Sequence, residues 1–218
     1  MNIGFAFIGP GLAADPDIIK LIATTTESCG YYSLWAPEHI VLLDQYSSKY
    51  PYTQDGVMPF ATMEIDFLDP FLALTYAAAV TDRIRLGTGI CLVPERHPVI
   101  TAKEVASLDK LCAGRFDFGI GIGWLKEEFE ALGVPWPRRA QRTRDYLSAM
   151  QSLWTEASSE HHGEFCDFGP LRSFPKPVQK PYPPMIFGGE SEPALRRVGE
   201  IGDGWWGVNV SPESASKH

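Results

Sequence analysis

Apolar positions along this chain alternate between two periods: short, nearly continuous runs, and longer stretches with helical spacing. Residues 3–8 form the first run, which predicts a strand covered on both faces. A helix follows, with Asp15 as its cap, Pro16 in its first turn, Ile18, Ile19, Ile22 and Ala23 at helical spacing, and Gly30 closing it. Residues 31–36 predict the second strand, which runs into Pro37, Glu38 and His39. Between residues 40 and 68 the pattern dissolves into Tyr, Pro, Ser and Asp, too long a stretch for an ordinary connection. It reads as an excursion over a functional face, with Tyr46, Tyr50, Tyr52 and Phe60 as candidates for an apolar lid.

The alternation then resumes. Asp69 and Pro70 start a second helix, residues 84–92 a third strand, and His97 and Pro98 a third helix with Val105, Leu108 and Leu111 on its inner face. Residues 115–120 predict a fourth strand. Helices over 125–132 and 141–154 follow, the latter with Tyr146, Leu147, Met150, Leu153 and Trp154 on one stripe. Residues 161–184 are rich in proline and predict irregular chain; a strand (185–187), a helix (191–201) and a strand (205–210) complete the series. Strands alternating with helices imply an α/β fold with a parallel sheet, doubly wound or closed as a barrel.

Glycine placement favours the barrel. Gly119, Gly121 and Gly123 mimic a dinucleotide-binding turn, but on the fourth strand and without an acidic residue at the end of a following strand. Glycine-rich ends on the third, fourth and fifth strands suit a barrel enzyme, whose chemistry gathers at the C-terminal ends of many strands.

Composition narrows the function. The chain has 27 acidic and 19 basic residues in 218, a net charge of −8, which argues against nucleic acid as a partner. Its four cysteines, Cys29, Cys91, Cys112 and Cys166, form no CxxC pair, and no metal site is expected. Without a signal segment or an apolar run of membrane-spanning length, a cytoplasmic protein acting on a small molecule is expected.

The order and spacing of short motifs carry a resemblance. They are residues 83–89 (RIRLGTG), 96–98 (RHP), 108–111 (LDKL) followed by Gly114 and Arg115, and 121–124 (GIGW), then Glu128, Phe129 and Gly133. Residues 188–191 (GGES), 194–197 (ALRR) and 202–205 (GDGW) extend the set. The chain resembles the bacterial luciferase-like family of flavin- or deazaflavin-dependent oxidoreductases, in particular its coenzyme F420-dependent branch. The likeness implies a single luciferase-like (β/α) TIM-barrel-like domain over residues 1–218, with about six of the family's eight strand–helix units. A shortened barrel leaves sheet edges open, so a homodimer is expected.

The resemblance also assigns roles. His39, at the end of the second strand, becomes the catalytic group that manages a proton. Thr88, Gly89 and Ile90 become a backbone bulge behind the cofactor, with a non-proline cis peptide after the strand; Gly121 and Gly123 line the ring edge. Gly188, Gly189 and Ser191 become the phosphate site at a helix start; Glu190 would be unwelcome there and is expected to point away. Trp124 stands where some deazaflavin dehydrogenases of the superfamily carry a glutamate, and Glu127 and Glu128 read as structural or surface groups. The cofactor implied is coenzyme F420, with FMN as the alternative: hydride transfer in the first case, oxygen insertion in the second. A non-catalytic flavin-binding protein and a phosphate-sugar barrel enzyme without a redox cofactor are the competing classes.

Three further groups have plainer readings. Arg138, Arg139, Arg142 and Arg144 form a basic run that could receive an acidic cofactor tail, but a solvated helix start pairing with Asp145 and Glu164 is favoured. Arg96 and His97 read as structural, and His161 and His162 as loop.

Overall fold

In the computed structural model, which describes residues 2–59 and 64–216, the alternation becomes a single parallel sheet with helices on one face. Its elements are β1 (Gly4–Ala6), α1 (Pro16–Ser28), β2 (Ser33–Ala36), α2 (Pro70–Ala78), β3 (Arg85–Thr88), β4 (Cys91–Leu92) and α3 (Pro98–Leu111). They continue with β5 (Phe116–Gly121), α4 (Lys126–Ala131), α5 (Arg139–Thr155), β6 (Ser159–His162), β7 (Asp167–Leu171), β8 (Met185–Gly188), α6 (Glu192–Ile201), β9 (Gly204–Trp206) and α7 (Pro212–Ala215). The parallel strands run β1–β2–β3–β5–β8–β9, with β4 also pairing with β5, and sweep 211° as a luciferase-like half-barrel.

The helix starts follow the caps read from the sequence. The Asp15 carboxylate accepts from the N–H groups of Asp17 and Ile18, and Asp69 does the same for Phe71 and Leu72, each with proline in the first turn. Gly30, at φ +78°, ends α1 in the left-handed region that glycine tolerates.

Strand alternation divides the sheet into two unlike faces. Leu34, Leu86, Phe116, Phe118, Ile120, Met185 and Phe187 point to the helices and form the core with Ile19, Leu74, Val105, Leu108, Leu147, Leu153 and Trp154. The opposite, concave face holds small residues and a few aromatics. In register across it lie Ala6, Trp35, Gly87 and Asp117, then Gly119, Ile186 and Gly204, then Gly188 and Trp206.

Four expectations are corrected. β1 is not covered on both faces: Ile3 is 54%, Phe5 37% and Phe7 59% exposed, because β1 is the edge of the described sheet. The strand expected over 84–92 is two pieces, β3 and β4, separated by a cis peptide between Gly89 and Ile90. Leu111, expected inside, is exposed: it ends α3, beyond the last turn that touches the sheet. The stretch over 161–184 contains an antiparallel hairpin, β6–β7, packed on α5. Its strands, SEHH and DFGPL, are four and five residues long and carry no clear period-2 pattern that sequence could show. The hairpin is held by Asp145 of α5, which accepts from Phe165 and Cys166 N–H and pairs with His161 at 2.8 Å. His161 and His162 are therefore strand residues, and among the described residues no metal cluster forms.

Candidate active site

All six parallel strands point their C-terminal ends to one rim, and the residues singled out by sequence gather there. His39 lies three residues beyond β2. Its Nδ1 is 2.8 Å from Oε2 of Glu128, and Oε1 of the same carboxylate accepts from Ile40 N–H at 2.7 Å and Val41 N–H at 3.2 Å. Glu128 belongs to α4 and is fully buried, which rules out its reading as a surface group and leaves the structural one. The pair fixes the ring: an Nδ1–H given to the carboxylate leaves Nε2 to take up or give a proton.

Beside His39 stands an aromatic wall. Trp124 meets the His39, Tyr46 and Tyr50 rings edge-on, with centroids 6.0, 5.8 and 5.1 Å away, and Phe67 meets His39 at 5.9 Å. The excursion is thus packed as a cover. Tyr46 accepts from Met58 N–H, and Glu127 accepts from Ser47 and Ser48. Burial pushes the Glu127 carboxyl up, but the Ser48 and Ser47 hydrogen bonds outweigh it and hold it down at about 2. Phe60 lies outside the described residues.

Across the concave face, the glycines do something other than expose bare backbone. Built on Gly121, a Cβ would lie 2.1 Å from Cδ1 of Ile90; on Gly188, 2.8 Å from the same atom. The Ile90 side chain therefore fills the space both glycines leave and forms a shelf over β5 and β8. Gly119 is needed for a closer approach, since its Cβ would fall 1.7 Å from the Thr88 carbonyl oxygen, and Thr88 Oγ1 donates to the Gly119 carbonyl at 2.7 Å. Trp35 lies over Gly87, with its ring centroid 4.5 Å from that of Trp206, and the two indoles bound the shelf on the side of Gly89.

At the β8–α6 corner, Gly189 has φ +108° and its N–H points to the Trp206 carbonyl at 3.3 Å. Ser191 is exposed, and its hydroxyl makes no capping bond. Pro193 supplies no N–H to the first turn, so an anion here would meet fewer donors than expected. The Glu190 carboxylate is turned to Val208 N–H at 2.6 Å and to Tyr52, whose hydroxyl is pushed up to about 12 by burial and by Glu190. That contact ties the cover to the corner.

Arg96 is structural, as expected: it binds Glu38, Asp69 and Glu104, joining the end of β2 to the start of α2 and the middle of α3. Burial pushes the Glu38 carboxyl up against the pull of Arg96. Of the basic run, Arg138 pairs with Glu164 and Arg144 with Glu200; Arg142 is buried on the Pro135 carbonyl, and Arg139 stacks on Trp136. A cavity of about 580 Å³ lined by Glu27, Tyr32 and Arg83 opens at the N-terminal ends of the strands, away from His39; that end of a barrel serves stability rather than chemistry. Glu128, Trp35 and Trp206 are residues of this rim that sequence reasoning did not place there. For Glu128 the only signal was its place in the motif set.

The family model described as luciferase-like monooxygenase matches residues 5–218. A protein of Mycobacterium tuberculosis, described as uncharacterised, is 38% identical over 183 residues, covering 84% of this chain and 64% of that one. The FMNH2-dependent dimethylsulfone monooxygenase of Pseudomonas putida is 31% identical over 134 residues, 60% of this chain and 36% of that one. Among solved structures, monooxygenase RslO1 from Streptomyces bottropensis superposes with a TM-score of 0.77 at 25% identity, covering 100% of this chain and 63% of that one. The chain thus spans just under two thirds of the length of the Mycobacterium relative.

Proposed function

The chain belongs to the luciferase-like monooxygenase family, and we propose that its concave face holds the ring of coenzyme F420, with His39 handling the proton of a hydride-transfer reaction on a small organic substrate. Enzymes of the family work with FMN or coenzyme F420. The observation that carries the reading is the shelf of Ile90 over Gly121 and Gly188, bounded by Trp35 and Trp206 and sharing its rim with the Glu128-held imidazole. A flat, largely apolar surface of this kind fits a tricyclic ring.

When bound, the deazaflavin supplies a carbon that gives or accepts hydride. The protein's own residues do the rest. Ile90, Gly121 and Gly188 support the ring, Thr88 and Gly89 fix the turn that presents Ile90, and Gly123 places Trp124 at its edge. Gly189 and Ser191 lie at the corner where the phosphate would sit. His39 receives at Nε2 the proton of a hydroxyl being oxidised, while Glu128 stabilises the imidazolium. Trp124 and the tyrosines keep water from the rim. FMN is the second reading, favoured by the 31% identity to an FMNH2-dependent enzyme.

Gly188→Val combined with Ser191→Ala tests the placement. A Cβ at 188 meets chiefly the Ile90 side chain, at 2.8 Å from Cδ1 and 3.3 Å from Cγ2, with the Ile120 carbonyl 3.7 Å away, so the change displaces the shelf and leaves the helix-side core in place. Cofactor affinity should fall at least about tenfold, the loss of one well-packed contact surface; unchanged affinity with an unchanged circular dichroism spectrum would remove the shelf from the cofactor site. Binding without turnover across a panel of alcohols, aldehydes and reduced nicotinamides would turn the reading to a storage protein.

A further inference from the structure

Glu95 is a carboxyl group that the function proposed above does not use. It lies in a single turn of 3-10 helix after β4, is 7% exposed, and neither of its carboxyl oxygens has a hydrogen-bond partner among the described residues. It packs under Gly123, where a Cβ would come within 2.9 Å of Oε1, so its carboxyl lies directly behind the rim that carries Trp124. The charged groups acting on it are Glu128 of α4, Glu38 after β2 and Arg96. Arg96 offers it no hydrogen bond: its guanidinium is bound to Glu38, Asp69 and Glu104.

Two carboxyl groups, Glu95 and Glu128, are therefore buried in one region with unequal provision. Glu128 receives three hydrogen bonds, from His39 Nδ1 and the N–H groups of Ile40 and Val41; Glu95 receives none. Where neighbouring acids share a dry site, the charge settles on the better solvated one and the proton on the other. We propose that Glu95 is a positioning residue for His39: as a neutral carboxyl behind the rim it leaves the Glu128–His39 pair undisturbed, and a charge on it disturbs that pair. Burial first, and then the charges of Glu128 and Glu38, push the Glu95 carboxyl up to about 9, which places the change above neutral pH.

The inference rests on His39 as the proton-handling group, but its test does not need turnover. The full chain, labelled with 15N-histidine and titrated between pH 6 and 10.5, is read at the His39 ring nitrogens. A distinct inflection near pH 9 is expected in the wild-type protein and is lost in Glu95→Gln, which keeps the neutral shape and cannot ionise. Absence of that inflection in the wild type, or its persistence in Glu95→Gln, would overturn the coupling. Should Glu95→Gln fail to fold, the wild type labelled with 13C-glutamate decides: a Glu95 carboxyl titrating between pH 8 and 10 together with the His39 shift supports the proposal, and one titrating below pH 6 overturns it. Failure here with His39→Ala still inactive would reject the role of Glu95 alone. A fully active His39→Ala would reject the site reading beneath it.

Discussion

At the scale of single residues, the proposed site is a histidine whose ring is held by the buried Glu128 carboxylate. His39→Ala should lower turnover about 10²- to 10⁴-fold, the usual share of one positioned acid–base group, with cofactor affinity changed only a few-fold. Steady-state rates beside a fluorescence titration separate the two, and equal activity would retire His39. Glu95 gives a second expectation, in stability. Burial and the neighbouring carboxylates push its carboxyl up to about 9 in the folded protein, against the ordinary value of about 4.3 when unfolded. The folded chain holds the extra proton between these values, so stability is greatest below the unfolded value and falls as pH rises, by up to about 1.4 kcal/mol per unit, levelling off above the folded value. Glu95→Gln should remove that slope: urea midpoints of the two proteins should separate steadily from pH 5 to pH 9, and parallel curves would contradict the buried neutral acid. His39 was legible because it stands at a strand end; Glu128 and Glu95 were not, since burial and hydrogen-bond partners are properties of packing between distant segments. The glycines were legible as a pattern but not in detail, because nothing in sequence says that Ile90 fills the room left by Gly121 and Gly188.

At the scale of elements, caps and periodicity carried most of the reading. Asp15–Pro16 and Asp69–Pro70 marked two helix starts to the residue, because the cap is a local device that needs only its own first turn. Hydrophobic periodicity cannot see where a strand's hydrogen bonds stop, which is why 84–92 read as one strand. It also missed the hairpin β6–β7, whose stability comes from outside itself. Asp145 supplies that support through Phe165, Cys166 and His161. Asp145→Ala leaves those donors unpaired and should cost about 1–3 kcal/mol, with faster amide hydrogen exchange confined to residues 159–171. Exchange unchanged in that segment would show that the hairpin stands on its packing against α5 alone.

At the scale of the whole molecule, one face of a parallel half-barrel is packed against helices and the other carries the small residues and indoles of the proposed site. Among the described residues β1 and β9 are the outer strands of the sheet; beside the first, Ile3, Phe5 and Phe7 are exposed. Such an edge invites pairing, and the homodimer expected from the sequence remains our proposal: light scattering across a concentration series should show a mass of two chains, and a monomer throughout would reject it. No helix among the described residues is long and apolar enough to cross a membrane. The parallel sheet and its order of units were readable from the alternation of strands and helices. The concave face was not, because alternate residues of a strand can be assigned to faces only when both faces are known.

The claim on which the rest depends is that this face holds a flavin-type ring. Fluorescence titration of the purified chain with coenzyme F420, and separately with FMN, tests it most directly. The account predicts saturable binding at one site per chain, tighter for coenzyme F420 and weakened by Gly188→Val. Binding of neither cofactor, or binding indifferent to the shelf, would contradict it.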